Sequence, residues 1–434
     1  MEKFILTSAI RAISILISIL SLFLVTKFLD ATETGKYYNV LTWMLFISWF
    51  VRFGLDQIIV KLKNQLSCSG LDLYKRLFFI QLIIYFIFMA LLLVFWEANN
   101  LFILKNYFYI FMVLSAVIFY SNNSLVSGYL IALGKSGMGN FFAVGLLPLI
   151  FIIFIIFNYF IGKDIDLNYL ASLYFYSGLL VFIVANSVIY YFYRQIIKHE
   201  KVNFKMNRSM YYQSGRIFGF ELIMFSLNWF VFFLAAIFLS KEILGQLHIF
   251  ARLAFFIALP LAIMVTIVSP IYAKYFKKDY KLLQNVIYIN ASVTTLLSIT
   301  ASIIMVIFSH EILSLFGIPN QENYNLFYIF VFSQFIVVIF GANSNILQMF
   351  GDTKALIVIA IYSFLGTIGM FFLINYYNSL LAVPLSLIFG YLLHNLSANY
   401  FIYKNYHLTC FPSLGLMKDL VFFRFKKIDN IFKL

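Results

Sequence analysis

Four arginines fall inside the most apolar stretches of this chain: Arg11, Arg52, Arg216 and Arg252. A guanidinium stays charged at any cellular pH, and its planar fork matches the oxygens of a phosphate or carboxylate. A charged side chain at the centre of a membrane helix costs at least about 2.5–3.5 kcal/mol, so such residues usually face a cavity. We therefore expect these four to bind an anionic substrate group. Snorkelling to the interface is the alternative, and it is the stronger one for Arg216.

Two carboxylates and a histidine lie in the same apolar stretches: Glu221, Asp56 and His248. A carboxylate in a low-dielectric site can take up and release a proton or hold a sodium ion. We predict that these three residues couple an ion to the activity. Alternatively, Asp56 pairs with Arg52 one helical turn away, and Glu221 is a structural carboxylate neutralised by an arginine on a neighbouring span.

Neutral polar side chains recur on single helix faces. Spacings of three and four residues place Thr7, Arg11, Ser14, Ser18 and Ser21 on one face of the first apolar stretch. Such a polar stripe inside an apolar bundle predicts a hydrated path between two lobes. Helix packing or interhelical hydrogen bonding is the alternative. Four amides in other stretches are further candidates for substrate contacts: Asn122, Asn123, Asn228 and Asn343.

The composition identifies the environment that these residues must share. The hydrophobic fraction is 63% and the charged fraction is 11%, whereas a soluble domain has about 25% charged residues. The apolar runs are continuous and do not alternate, so the spans are helices rather than barrel strands. We expect the first run, 4–28, to remain as a span, because it is too long for a signal peptide and lacks a small-residue cleavage site.

Twelve stretches are long enough to span a bilayer, which needs about 20 residues. They are 4–28, 37–60, 77–96, 107–131, 140–161, 169–193, 215–239, 245–272, 285–308, 324–349, 355–377 and 380–403. With the N-terminus inside, 22 of the 31 Lys and Arg residues fall on the cytoplasmic side and 4 on the other. This distribution predicts that both termini are cytoplasmic. The net charge of +14 is then a topology signal, and no nucleic-acid partner is expected.

Two turn signals occur twice. Phe28-Leu29 precedes Gly35 as Phe238-Leu239 precedes Gly245. Further along, Ser127, Leu130, Leu133, Gly134 and Ser136 align with Ser344, Leu347, Phe350, Gly351 and Thr353. A doubled plan predicts an all-α polytopic membrane protein with twelve transmembrane helices in two parallel six-helix lobes around a central cavity. We place the lobes at 1–193 and 215–403, a basic cytoplasmic linker at 194–214 and a basic tail at 404–434; chance matching is the alternative.

Motifs for cofactors and catalysis are absent from the sequence. The segment from Gly128 to Ser136 resembles a phosphate loop, but five residues separate its glycines where four are required. Cys68 and Cys410 both fall on the predicted cytoplasmic side, so neither a disulfide nor a metal site is expected. We therefore expect no cofactor and no enzyme activity. A membrane polysaccharide polymerase is less favoured, because the longest outside loop, near 309–323, has no arginine, and the buried charges argue against a scaffold.

Several segments resemble the bacterial O-antigen, or polysaccharide repeat-unit, flippases of the multidrug/oligosaccharidyl-lipid/polysaccharide exporter superfamily. In the first half these are Thr26 to Asp30, Gly35 to Tyr38, and Phe53 to Leu55. In the second half they are Asn228-Trp229, Leu239 to Gly245, Pro260, Pro270 to Lys274, and Leu315 to Gly317. The resemblance covers most of the chain through loose, mainly structural motifs. Gln246-Leu247 departs from the aromatic residue usual after Gly245.

The resemblance implies a flippase of the cytoplasmic, or inner, membrane. Such proteins move undecaprenyl-diphosphate-linked oligosaccharide between leaflets by alternating access, with a proton or sodium as coupling ion, and have a cationic cavity between two six-helix lobes. Lipid-linked oligosaccharide and membrane lipids are the implied partners, together with polysaccharide polymerase and chain-length proteins. From position alone, the diphosphate is the anion that the four arginines would attract. A multidrug or small-solute exporter of the same architecture is the alternative function.

Overall fold

The computed structural model describes residues 2–56, 59, 70–98, 108–196, 208–276, 278–318 and 323–421. Their regular structure is helical, with one π-helical and one 3-10 turn among the helices. The helices form two compact units, Met1–Leu222 and Ile223–Leu434. Residues 197–207 of the predicted linker, 422–434 of the predicted tail, and Cys68 lie outside the described residues.

The first unit begins with two long helices and ends inside the helix Arg208–Phe238. Its elements are α1 Glu2–Phe28, α2 Ala31–Arg52, α3 Gly70–Ala98, α4 Phe108–Ser115, α5 Val117–Ala132, α6 Ser136–Asn140, a π-helical turn Phe141–Gly145, α7 Leu146–Phe160, α8 Leu167–Ile196 and the first half of α9 Arg208–Phe238.

The second unit takes the remainder of α9 and runs to the C-terminus. Its further elements are α10 Lys241–Ala254, a 3-10 turn Phe255–Ala258, α11 Leu259–Tyr275, α12 Tyr280–Ile307, α13 Ser309–Leu315, α14 Tyr324–Ile339, α15 Asn343–Phe350, α16 Thr353–Tyr377, α17 Ser379–Tyr406 and α18 Leu414–Val421.

Eleven helical segments of the described chain are long and apolar enough to cross a membrane. The predicted all-α, multi-pass membrane fold is confirmed. The predicted span 37–60 is not among the eleven segments, because its helix, α2, carries Glu33, Lys36 and other polar residues in its first turns. Alpha2 is nevertheless 22 residues long, so a twelve-helix arrangement is compatible with the structure.

The repeated turn signals have matching backbone conformations. Gly134 and Gly351 both have positive φ, 75° and 88°. In each turn the N–H after the glycine donates to a carbonyl five residues earlier, at 2.9 and 3.0 Å, which closes the preceding helix. After the other repeated signal, Phe28-Leu29 and Phe238-Leu239, the side chains of Asp30 and Ser240 cap the N-termini of α2 and α10.

The predicted bounds of the second span are wrong, because α2 ends at Arg52. Phe53 and Gly54 both adopt left-handed conformations, with φ of 47° and 66°. A Cβ on Gly54 would lie 2.9 Å from the backbone oxygen of Ser214, so this approach of α9 requires glycine. The sequence predicts that Arg52 and Asp56 lie one turn apart on a continuous helix. In the structure the helix ends between them.

Candidate functional site

Arg52 is 7% exposed and held from two helices of the first unit. Its Nε and Nη2 donate to the carbonyl and hydroxyl of Ser48, at 3.3 and 3.4 Å, and its Nη1 donates to Ser124 Oγ on α5 at 3.2 Å. Its guanidinium carbon lies 3.8 Å from the ring centroid of Trp49 and 5.6 Å from that of Tyr120. Hydrogen bonds and aromatic faces therefore fix the position of this cation.

Two carboxylates lie near this guanidinium. Asp56 is 8% exposed, and Glu221 on α9 is close enough to both Asp56 and Arg52 to interact with them electrostatically. Glu221 Oε2 is buried and has no hydrogen-bond partner among the described residues. We name Arg52, Asp56 and Glu221 the charged cluster. With one cation against two carboxylates, it has the chemistry to accept a proton or a monovalent cation.

The start of α9 docks on the end of α2 and so places Glu221 in the charged cluster. The hydroxyl of Ser214 donates to the carbonyl oxygen of Phe53. The ring of Phe218 packs 4.9 Å from the ring of Phe53 and 5.4 Å from that of Phe50, measured between centroids. One helical turn separates Phe218 from Glu221, so this packing brings the carboxylate to the end of α2.

The two candidate amides on α5 bond to neighbouring helices of the first unit. Asn122 Oδ1 lies 2.8 Å from the hydroxyl of Tyr74 on α3, which also lies 2.8 Å from Asn186 Oδ1 on α8. Asn123 Nδ2 donates to the carbonyl oxygen of Phe142, in the π-helical turn. Asn122 and Asn123 are buried, at 0% and 2% exposure. Both side chains thus join helices within the unit.

The serine face of α1 packs against the π-helical turn and its flanking helices. Ser18 Oγ donates to the carbonyl of Val144 at 3.3 Å. A Cβ on Gly145 would lie only 2.6 Å from Ser14 Oγ, so the helices meet through small residues. For Ser14 the structure favours the alternative of helix packing, and the hydrated path stays a prediction. Arg11, on the same helix, is half-buried.

Two candidate residues of α10 lie against aromatic rings of α9. His248 is fully buried, and its ring stacks on Phe232 at 4.5 Å between centroids, with Trp229 at 6.2 Å. The guanidinium carbon of Arg252 lies 5.4 Å from the Trp229 ring centroid. Arg252 is half-buried, whereas Arg216, near the start of the span on α9, is exposed.

The second unit contains a cavity of about 280 Å³ that we name the amide cavity. The described residues that line it include no Asp, Glu, Lys or Arg. Two of its polar residues, Asn228 and Asn343, are candidates predicted from the sequence. The polar side chains of its lining include Asn228, Gln334, Asn343, Ser344, Tyr391 and His394.

Hydrogen bonds join the walls of the amide cavity. The hydroxyl of Tyr391 donates to Asn228 Oδ1 at 2.7 Å and accepts from Gln334 Nε2 at 3.5 Å. On the other wall, Ser344 Oγ and His394 Nε2 lie 2.8 Å apart. The sequence analysis missed Gln334, Tyr391 and His394. Gln334 and His394 are polar residues inside apolar spans, the criterion that singled out His248, so that criterion would also have found them.

A break between α14 and α15 brings part of this wall into place. Gly341, with φ of 65°, separates the two helices, and no side chain caps the start of α15 at Ala342. A Cβ on Gly341 would lie 3.2 Å from the carbonyl oxygen of Cys410, which makes glycine necessary here. Asn343 and Ser344 therefore stand in the first turn of a new helix, at the edge of the amide cavity.

The fold places the chain beside known transporters, although no protein-family model and no curated protein matches its sequence. The MATE multidrug transporter DinF-BH superposes with a TM-score of 0.67 at 13% identity, covering 93% of this chain and 95% of that one. A MOP superfamily transporter from Pyrococcus furiosus gives 0.66 at 14%, covering 92% and 94%. The Vibrio cholerae MATE transporter VcmN gives 0.63 at 11%, covering 93% and 97%. At these identities the likeness establishes the fold alone.

Proposed function

We propose that the protein is a flippase that carries undecaprenyl-diphosphate-linked oligosaccharide across the bacterial cytoplasmic membrane by alternating access, with both termini in the cytoplasm. The multi-pass helical fold supports a transporter, and the motif resemblance of segments 26–38 and 228–274 supports the lipid-linked substrate. Lipids surround the protein, and polysaccharide polymerase and chain-length proteins are its expected partners.

The observation that carries this proposal is the excess of arginine within the membrane-spanning helices. Arg11 in the first unit is half-buried. A permanent positive charge in a low-dielectric environment favours an anion such as a diphosphate. Arg52 differs, because Ser48 and Ser124 already engage its donors. We assign Arg11 to the diphosphate and Arg52 to the charged cluster.

Ion coupling in this proposal belongs to the charged cluster. Glu221 lies near both Asp56 and Arg52, and one of its oxygens has no hydrogen-bond partner among the described residues. Binding of a proton or a sodium ion would balance the second carboxylate. His248 fits this role less well, because aromatic rings enclose it.

Deletion of the gene in its native host tests the function. We expect loss of surface polysaccharide and accumulation of lipid-linked repeat units on the cytoplasmic leaflet. Arg11→Ala should fail to restore the polysaccharide although the protein inserts, whereas Arg11→Lys should restore part of it because the charge remains. Normal surface polysaccharide in the deletion strain would exclude the flippase.

A multidrug exporter is the second candidate. The carboxylates of the charged cluster favour it, because an ionised carboxylate in a low-dielectric site attracts a cationic compound. DinF-BH, a MATE multidrug transporter, shares the fold. Drug susceptibility of the same deletion strain separates the two functions. Increased susceptibility to cationic drugs with unchanged polysaccharide would favour the exporter.

A further inference from the structure

Two residues that line the amide cavity each have a buried polar atom whose hydrogen bonds are unmade among the described residues. Asn343 is 1% exposed, and its Nδ2 donates to the carbonyl of Asn395 at 3.1 Å, but its Oδ1 has no partner among the described residues. His394 is 3% exposed; its Nε2 bonds to Ser344, and its Nδ1 has no partner in the described chain. Both residues line the cavity. Unmade hydrogen bonds of buried groups are costly, so these atoms point to a missing partner.

The chemistry of the wall disfavours a charged organic ligand and favours hydroxyl groups. An anion or an organic cation would meet no opposite charge on the described lining. Amides and a histidine both donate and accept, and the imidazole of His394 presents either a donor or an acceptor at Nδ1, depending on its tautomer. A hydroxyl also does both, so a ligand with several hydroxyls can match each wall at once.

Size and apolar lining narrow the ligand further. A volume of about 280 Å³ gives room for one sugar ring. Phe255 and the ring of Tyr391 add aromatic surface beside the amides. Small-molecule sites commonly combine an apolar wall with a few placed polar groups, and a pyranose has both an apolar C–H face and a hydroxyl edge.

We infer that the amide cavity is a subsite for a single neutral sugar ring, read by Asn343 and His394 on one wall and by Asn228 and Tyr391 on the other. This inference rests on the proposed function and extends it. It assigns recognition of the glycan to the interior of the second unit, separately from Arg11, which we assign to the diphosphate.

The test is saturation-transfer NMR on the purified full-length protein in lipid nanodiscs, with glucose, galactose, N-acetylglucosamine and rhamnose as separate probes. We expect at least one to bind with a Kd of about 1 mM, a range typical of a small, uncharged ligand. Asn343→Leu should weaken that binding roughly tenfold, because a buried hydrogen bond to the sugar is lost. Tyr391→Phe provides a milder second variant, with an expected loss of severalfold.

Asn375→Leu is the matched control. Asn375 also has a buried, unbonded Oδ1 among the described residues, but it lies outside the cavity lining. It should leave sugar binding unchanged. Size-exclusion profiles show whether each variant folds. If Asn343→Leu does not fold, the sugar affinity of Tyr391→Phe tests whether the cavity binds the sugar.

Three results would overturn the inference. The first is no signal from any probe sugar with the wild-type protein. The second is binding that Asn343→Leu and Tyr391→Phe leave unchanged. The third is thermal stabilisation by sodium over choline that requires Asn343, without sugar binding, because the cavity would then be a cation site. Binding to the purified protein is independent of the deletion phenotype, so failure here and failure of the flippase function are distinguishable.

Discussion

Replacing Arg52 with methionine tests whether the charged cluster depends on this cation. Methionine retains most of the apolar stem but removes the bonds to Ser48 and Ser124 and the contact with the Trp49 ring. It also leaves Asp56 and Glu221 near each other without the guanidinium. We therefore expect the first unit to lose stability because of both missing contacts and uncompensated negative charge.

The size of the expected stability loss follows from the burial of the charged cluster. Removing one partner from a buried charged group typically costs about 3–5 kcal/mol. Hydrogen bonds to charged groups contribute about 1.5–3 kcal/mol each when removed singly, but they share this guanidinium and do not add. We expect Arg52→Met to cost about 3–5 kcal/mol, which lowers Tm by roughly 6–20 °C for a unit of this size.

A second substitution separates charge from packing. Glu221→Gln in the Arg52→Met background removes one unbalanced carboxylate and should recover about 1–2 kcal/mol, within the usual range for coupled sites. Arg216→Met is the matched control on the exposed surface of α9, and it should stay within about 0.5 kcal/mol of wild type.

Unfolding of the purified protein in detergent, followed by tryptophan fluorescence and size-exclusion, measures these changes. If Arg52→Met is as stable as Arg216→Met, Arg52 does not stabilise the charged cluster. If Glu221→Gln adds to the loss caused by Arg52→Met, the carboxylate is stabilising without its cation, which contradicts the expected recovery.

Three further predictions concern packing and the C-terminal segment. Gly128→Ala should cost about 1–3 kcal/mol, because its Cβ would lie 2.3 Å from the carbonyl oxygen of Asp56. Gly219→Ala, with open space around the new Cβ, should instead gain about 0.4–1 kcal/mol in thermal unfolding; equal effects would contradict the packing argument. Burial raises the pKa of the Cys410 thiol to about 12. In a Cys68→Ser background, maleimide should therefore not label the native protein between pH 7 and 9. It should label the same chain after unfolding in detergent. Native labelling that rises through pH 9 would show an ordinary, accessible thiol. Gln284 forms two hydrogen bonds with the backbone of Thr409, at 2.8 and 2.9 Å. Gln284→Leu should therefore release the segment around Thr409 and speed labelling of Cys410 several-fold, whereas the control Asn285→Leu, at an exposed neighbouring position, should not. Equal labelling rates in the two variants would show that Gln284 does not hold this segment in place.

The sequence predicts the membrane helices well because each depends on local composition. A run of apolar residues with capped ends is sufficient to place a helix such as α12, whose first turn is capped by Asp279. The end of α2 is different. The apolar run continues beyond Arg52, and the helix stops there because the close approach of Ser214 requires a left-handed glycine at Gly54. That contact joins residues 160 positions apart, and no local pattern records it.

The candidate site was harder to predict, since a polar stripe has the same periodicity whether it faces water or a helix. Ser14 and Ser18 have the spacing of a hydrated face, but they pack on Gly145 and Val144. Only the identity of the facing helix distinguishes the two cases. His394 is a different case, because its place inside an apolar span marks it as a candidate, but the sequence does not show which residues it faces.

The clearest contrast lies between two polar clusters in the fourth and tenth predicted spans, which occupy corresponding places in the two halves of the sequence. In the first unit, Asn122 and Asn123 lie in the middle of the continuous helix α5 and bond to α3 and the π-helical turn. In the second unit, Gly341 interrupts the helix just before Asn343, so Asn343 begins a new helix beside the amide cavity. The same kind of residue is therefore structural where the helix continues and open to a ligand where it breaks. This difference predicts that Asn122→Leu reduces stability of the protein, whereas Asn343→Leu acts mainly on sugar binding.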